Sequence, residues 1–356
     1  MIDTAPEGAG HLSESTILRV EGLRKYFPVR RGLLQRITGT VRAVDDVSFS
    51  VGKGKTLGLV GESGCGKTTT GRMILRALDP TAGRIWFRRS DGQIVDMAAL
   101  RGADIKETRH DMQMIFQDPY SSLNPRMTVM DLISEPLRAQ RWARADCENR
   151  VAELMERVGL DTRMIRRYPH AFSGGQRQRI GIARALALQP SFIVADEPVS
   201  ALDVSVQAQI LNLLQQLQAD LGLTLIFIAH DLSVVRYLCD GVAVMYRGQI
   251  VEQGETEALF TSPKHPYTAT LLHAAPAPDP HAPWMEEIDE VEGDGDEITA
   301  APVTAEDSDL GCPFALRCAH AEPGCREQKP HLVALARARG PTRHHRPGPR
   351  RPGRKL

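Results

Sequence analysis

Short apolar runs of strand length recur along the chain, interleaved with stretches whose apolar residues fall at helical spacing. Leu57-Gly58-Leu59-Val60, Phe192-Ile193-Val194-Ala195 and Leu225 to Ala229, the last within a strand predicted over Leu223 to Ala229, are continuously apolar, as strands buried on both faces are. Thr16 to Val20 and Val44 to Val51 alternate instead, and Gly83 to Phe87 predicts a further strand. Met112-Gln113-Met114-Ile115 predicts another, running into Phe116-Gln117-Asp118-Pro119. Val151, Leu154, Met155 and Val158 form one apolar face of a helix over 145–158, within a helix-rich stretch over 128–165. Helices are also predicted from Thr69, over Ile180 to Leu188, and over Val206 to Leu217. Val242 to Tyr246 and Gln249 to Glu252 read as a hairpin about Arg247-Gly248, and 30–41 as a basic loop. Strands and helices in this alternation predict an α/β fold.

At 356 residues there is room for one large domain and a smaller one. Lys plus Arg and Asp plus Glu are equal at 44 each, so net charge gives no pointer to nucleic acid. No apolar run approaches the roughly 18 residues of a membrane span. The opening Met1-Ile2-Asp3-Thr4-Ala5-Pro6-Glu7 lacks the apolar region of a signal peptide. The expectation is a cytosolic chain, and work at a membrane would need another chain to do the spanning. Cys65, Cys147 and Cys239 are scattered and read as free thiols in a reducing compartment; Cys312, Cys318 and Cys325 are clustered.

The strongest chemical signal is Gly61-Glu62-Ser63-Gly64-Cys65-Gly66-Lys67-Thr68, with Thr69 following. An apolar strand precedes it and a helix start follows, the context of a phosphate-binding loop. Its glycines let backbone N–H groups turn inward toward phosphate oxygens, and the helix N-terminus adds partial positive charge. Lys67 is expected to reach the β- and γ-phosphates and Thr68 to hold Mg²⁺. Asp196-Glu197, at the end of a buried strand, fit a Mg²⁺ carboxylate and a base for the attacking water. Like charges so close are expected to raise each other's pKa. Gln117 at a strand end reads either as a solvated residue or as a ligand to Mg²⁺ or water. His230 ends the strand that follows the acidic one, near the γ-phosphate if the sheet is parallel. Ser173-Gly174-Gly175-Gln176 opens a helix and forms a second anion-accepting turn, which two facing chains would use better than one. An aromatic upstream of the loop, in Tyr26-Phe27, either stacks on adenine or packs in the core.

The order phosphate loop, Gln117, Ser173 to Gln176, Asp196-Glu197, Ser200 to Asp203 and His230 resembles the nucleotide-binding subunit of ABC transporters over about residues 17–275. Phe116 to Arg126, Asp203-Val204-Ser205-Val206-Gln207 and His265-Pro266-Tyr267-Thr268 resemble the ATPase subunits of oligopeptide and dipeptide importers. The resemblance implies a P-loop NTPase fold of ABC type: a RecA-like core, an antiparallel β subdomain, a helical subdomain over about 118–172, and a small C-terminal Cys-containing extension. It implies the nucleotide-binding domain over 16–262 and the extension over 263–335, while composition predicts a disordered leader over 1–15 and a basic disordered tail over 336–356. It further implies ATP and Mg²⁺ as ligands, with Phe27 stacked on adenine and Tyr26 as the second candidate. Glu197 would be the catalytic base, with His230 and Lys67 at the γ-phosphate and Thr68, Gln117 and Asp196 about the metal. Ser173 to Gln176 of one subunit would close over its partner's ATP, and Asp203 would be among the nucleotide-binding residues. The implied partners are a second ATPase subunit, two transmembrane permease subunits and an extracytoplasmic solute-binding protein, with no nucleic acid. The implied location is peripheral, on the cytoplasmic face of the membrane. Nickel or another small solute in place of peptides, or a non-transport ABC ATPase, are the alternatives.

The C-terminal part changes character. An acidic linker over about 276–310 reads as solvated. Gly311-Cys312-Pro313 through Cys318 and Cys325 then resembles the Cys-rich tail of peptide-importer ATPases, which can carry a four-iron cluster. That pattern ends in a fourth Cys, where this chain has Leu335 after His331-Leu332-Val333-Ala334. Three free thiols is the expectation, and a cluster completed by a ligand from elsewhere is the alternative.

Overall fold

The computed structural model describes residues 12–32, 36–118, 120–274, 311–328, 330 and 332–333. The acidic linker, the basic tail and Leu335 lie outside them. The expected leader ends sooner than residue 15. Leu12 is buried, and Arg88 Nη2 donates to the carbonyls of Leu12 (3.1 Å) and Ser13 (3.0 Å).

β1 (Thr16–Arg31) and β2 (Arg36–Gly52) form one antiparallel hairpin, from Thr16 opposite Gly52 to Arg31 opposite Arg36. The stretch expected to be a basic loop is thus the far end of this hairpin. Val29, Ile37, Thr38, Thr40 and Val41 are β-branched and favour the pleat over a loop despite their basic neighbours. β3 (Thr56–Val60) leads through the glycine-rich loop into α1 (Lys67–Ile74). β4 (Ala82–Arg88) and β5 (Ile94–Asp96) follow, then α2 (Gly102–Thr108) and β6 (Met112–Ile115). α3 (Val129–Ala139) and α4 (Arg144–Arg157) form a helical segment, closed by single turns at Thr162–Met164 and Pro169–Ala171. α5 (Gly174–Ala185) ends sooner than expected, and β7 (Phe192–Asp196) and the long α6 (Val204–Leu221) come next. β8 (Thr224–Ala229), α7 (Leu232–Leu238), β9 (Gly241–Tyr246) and β10 (Gln249–Glu255) complete the core. α8 (Thr256–Thr261), α9 (Pro266–His273) and α10 (Pro323–Glu327) follow.

Two sheets result. One has the order β2-β1-β4-β5 and is antiparallel; the other has the order β10-β9-β3-β8-β7-β6 and is parallel except for β10. β3, β7 and β8 are buried throughout, which is why they read as apolar runs. Their side chains still alternate between faces. Leu57, Leu59, Phe192, Val194, Ile226 and Ile228 join the core shared with the antiparallel sheet and α1. Val60, Ile193, Ala195, Leu225, Phe227 and Ala229 join the core shared with the helices. The Phe87 and Phe192 rings, 6.0 Å apart and edge-on, tie the two sheets together. Parallel strands end on the same side, so β3, β7 and β8 deliver Gly61, Glu197 and His230 to one edge.

Candidate active site

The loop after β3 is shaped by close approach as much as by freedom of rotation. Gly61, Gly64 and Gly66 have φ of 147°, 78° and 108°. A Cβ at Gly66 would lie 2.3 Å from the Ala43 carbonyl oxygen, and one at Gly61 would lie 2.1 Å from that of Met245. No side chain could stand at either place, so the backbone of β2 and β9 can pack directly on the loop. Gly248 N–H donates to Cys65 O at 2.9 Å, and Asp45 N–H to Gly248 O at 2.8 Å, which links the loop to both sheets. Lys67 is buried, and its Nζ donates to Gly61 O (2.7 Å) and Glu62 O (2.9 Å). α1 starts from Gly66 with no side-chain cap and no acidic residue in its first turn, so its N-terminal dipole is not neutralised from within.

Five of the predicted residues meet across the strand ends. Thr68 Oγ1 donates to Asp196 Oδ1 at 2.8 Å. Gln117 Nε2 donates to Glu197 Oε2 at 3.0 Å, and the same oxygen lies 3.1 Å from His230 Nδ1. Glu197 has φ of 45°, a left-handed conformation uncommon for a glutamate, and its N–H is held by Ile228 O of β8 at 3.0 Å. Backbone strain of this kind concentrates at functional sites. Burial, more than its acidic neighbour, raises the pKa of Asp196; the Thr68 hydrogen bond and Arg72 oppose the shift. For Asp196 the acidic neighbour is therefore the lesser cause. Thr68, Asp196 and the Gln117 amide are oxygen donors, and a buried carboxylate disfavoured in its charged form is suited to a hard dication. This donor set fits Mg²⁺.

Ser173 caps α5 in a reciprocal arrangement. Gln176 N–H donates to Ser173 Oγ (3.3 Å), and Ser173 N–H donates to Gln176 Oε1 (3.0 Å). Gly174 and Gly175 are thereby fixed as the first turn of α5. Asp203 caps α6, accepting from Val206 N–H (3.0 Å) and Ser205 Oγ (2.6 Å), and the Ser205 hydroxyl keeps its pKa low. Tyr26 and Phe27 part ways on β1. The Tyr26 hydroxyl donates to Asp45 Oδ1 at 2.6 Å, whereas the Phe27 ring is 38% exposed, with Lys25 Nζ 5.0 Å from its centroid.

The three clustered cysteines occupy residues 311–328, in and just before α10. Cys312 N–H donates to Cys325 O at 2.7 Å, and Cys312 Sγ lies 3.9 Å from His265 Nε2. Among the described residues no three His, Cys, Asp or Glu side chains are grouped as ligands of one metal. With three thiols where four are needed, the donor set does not fit a four-iron cluster.

Several contacts went unread in the sequence. The Tyr267 hydroxyl of α9 accepts the Glu62 N–H at 3.0 Å, and Arg317 Nη1 donates to both Glu62 carboxylate oxygens at 3.0 and 3.2 Å. The Arg177 guanidinium lies 4.2 Å over the Tyr120 ring, joining α5 to the loop after β6. The motif His265-Pro266-Tyr267-Thr268 holds the tyrosine of the first contact, but nothing in it names Glu62 as the partner.

Comparison with known proteins gives the same picture. A family model described as ABC transporter matches residues 44–200, and one described as oligopeptide/dipeptide transporter, C-terminal region, matches 251–325. The chain is 47% identical over 325 residues to the oligopeptide transport ATP-binding protein AppF of Bacillus subtilis, covering 91% of this chain and 95% of that protein. It is 48% identical to a probable peptide ABC transporter ATP-binding protein of Sinorhizobium fredii, covering 93% and 90% of the two. Among solved structures it is similar to the ATP-binding cassette MJ0796, a dimeric post-hydrolysis state bound to ADP and Pi (TM-score 0.58, 26% identity, 67% of this chain and 99% of that one). It is also similar to cbiO1 of Clostridium perfringens, part of the transporter complex cbiONQ (TM-score 0.59, 27% identity, 70% and 92%).

Proposed function

We propose that this chain, which belongs to the ABC transporter family of ATP-binding proteins, is the ATP-hydrolysing, energy-coupling subunit of a peptide importer. The observation that carries the reading is the convergence on Glu197 Oε2 of Gln117 and His230, beside the Thr68–Asp196 pair. Glu197 is the group to polarise a water in line with the β–γ bond, and His230 turns its ring toward the same carboxylate. Lys67 exchanges two loop carbonyls for phosphate oxygens, a swap of neutral acceptors for anionic ones. Mg²⁺, when held by Thr68, Asp196 and Gln117, neutralises charge on the phosphates. Phe27 offers its exposed face to adenine.

A dimer is implied by the family, as are permease partners in the membrane. In the finer reading, the capped turn Ser173–Gln176 closes over the ATP of a second subunit, and Asp203 belongs with the residues that bind the nucleotide. Hydrolysis then removes the bridging phosphate and lets the halves part, a two-state element biased by a ligand. Among the described residues no helix is long and apolar enough to cross a membrane, which agrees with a peripheral subunit. The cytoplasmic face, an extracytoplasmic solute-binding protein and free thiols at Cys312, Cys318 and Cys325 complete the reading. Its test is reconstitution with the permease subunits in vesicles. ATP turnover should rise when peptide-loaded binding protein is enclosed. Turnover indifferent to peptide, with a response to nickel instead, would refute the substrate class.

A further inference from the structure

The phosphate loop of this chain is held from outside by a residue of the C-terminal region. Glu62 is engaged at each of its polar groups. Its N–H donates to the Tyr267 hydroxyl, its carbonyl accepts from Lys67 Nζ and from Cys65 N–H (3.3 Å), and its carboxylate pairs with Arg317. Tyr267 is itself fixed. It is 1% exposed, its ring centroid lies 4.5 Å from that of Tyr246 and 5.4 Å from that of Phe314, and Phe314 meets Tyr246 edge-on at 5.3 Å. The start of α9 is set by His265, whose Nδ1 accepts the Tyr267 N–H at 3.1 Å. Glu252 of β10 in turn accepts the N–H groups of Lys264 (2.8 Å) and His265 (2.9 Å). The motif His265-Pro266-Tyr267-Thr268 is thus a cap, a helix start and a buried hydroxyl, all aimed at one loop amide.

We infer that Tyr267 is a positioning residue for nucleotide binding, which holds the phosphate loop in its curled form through the Glu62 amide. This rests on the ATPase reading of the same loop. A glycine-rich segment is entropically costly to order, and ordering it before the ligand arrives moves that cost out of the binding step. Once phosphates fill the loop, they hold it themselves. The hydroxyl therefore acts on affinity and leaves the chemical step alone.

The experiment is Tyr267→Phe in the full-length chain, which removes one oxygen and keeps the ring packing. The dissociation constant of MANT-ATP should rise about fivefold, the size of one net hydrogen bond. In the assembled transporter KM for ATP should rise in step, while kcat stays within about twofold of wild type. Mass-spectrometric alkylation rates separate this from general loosening. Without nucleotide, Cys65 in the loop should react faster in the variant, while the buried Cys147 and Cys239 keep their wild-type rates. Unchanged MANT-ATP affinity, or acceleration of all three cysteines together, overturns the inference and leaves the ATPase reading standing. Wild-type chain that binds no MANT-ATP overturns both.

Discussion

Glu197 and His230 meet through one oxygen: Oε2 of the carboxylate lies 3.1 Å from Nδ1 of the imidazole, across the ends of two adjacent parallel strands. The side chain of Glu197 is largely enclosed and that of His230 largely open, so the pair is reached by solvent from the histidine side. A base in this setting can be neutralised with little change of shape. Glu197→Gln should lower kcat of the assembled transporter by roughly 10²–10⁴-fold, the usual range for a general base. ATP should still bind and be recovered intact from the purified complex. Turnover close to wild type, measured as phosphate release, would remove Glu197 from the role.

Two adjacent aromatics on β1 should respond oppositely. Phe27→Ala should weaken ATP binding about tenfold, or ~1.4 kcal/mol, within the range for base–aromatic stacking. It should leave the melting temperature nearly unchanged, because the ring is partly exposed. Tyr26→Phe should keep the affinity and lose about 1 kcal/mol of stability with its hydrogen bond to Asp45. Burial, followed by that hydrogen bond, pushes the Tyr26 pKa up to about 12, so the phenol stays neutral and donating throughout the working range. Isothermal titration and denaturant melts of both variants decide the assignment, and a reversed pattern would transfer adenine stacking to Tyr26.

Much of this site could be read from the chain because its chemistry is local. Residues 61–68 carry their own turn, and the order of strands that brings Glu197 beside His230 follows from parallel connection. What escaped was contact across long separations. Glu62 and Tyr267 are 205 residues apart, and Glu62 and Arg317 are 255 apart, with nothing in either segment to name its partner. The left-handed backbone at Glu197 escaped too, since an αL glutamate is set by the fold around it and not by its own preference. The far end of the β1–β2 hairpin looks like a basic loop by its charge, but the β-branched residues between its arginines decide for the pleat.

The C-terminal cysteines give an analytical prediction. Chain purified without oxygen should contain iron and acid-labile sulfide well below one per molecule, and no absorbance band near 400 nm should accompany the protein peak. Denatured and titrated for thiols, it should yield six. Cys312 sits where burial raises its pKa, so the neutral thiol is favoured over the thiolate a metal needs. Stoichiometric iron with four-iron optical features would show that another residue supplies the fourth ligand.

Gly175 is required for a reason other than backbone freedom. It has no positive φ, but a Cβ there would lie 2.4 Å from Cγ1 of Val206 at the start of α6. α5 and α6 therefore touch at their N-terminal ends, where Ser173 and Asp203 stand as caps. Gly175→Ala should push these ends apart, costing about 1–3 kcal/mol of stability as overpacking does. It should also depress ATP turnover, because the Ser173–Gln176 turn is carried along with α5. Val206 is stiff at χ1 and cannot swing clear, so relief requires its removal. The double variant Gly175→Ala, Val206→Ala should regain much of the lost stability, giving a favourable coupling energy of about 1 kcal/mol or more in a double-mutant cycle. Additive losses in that cycle would show that the two helices do not meet at this point, and that the glycine serves the approach of an anion alone.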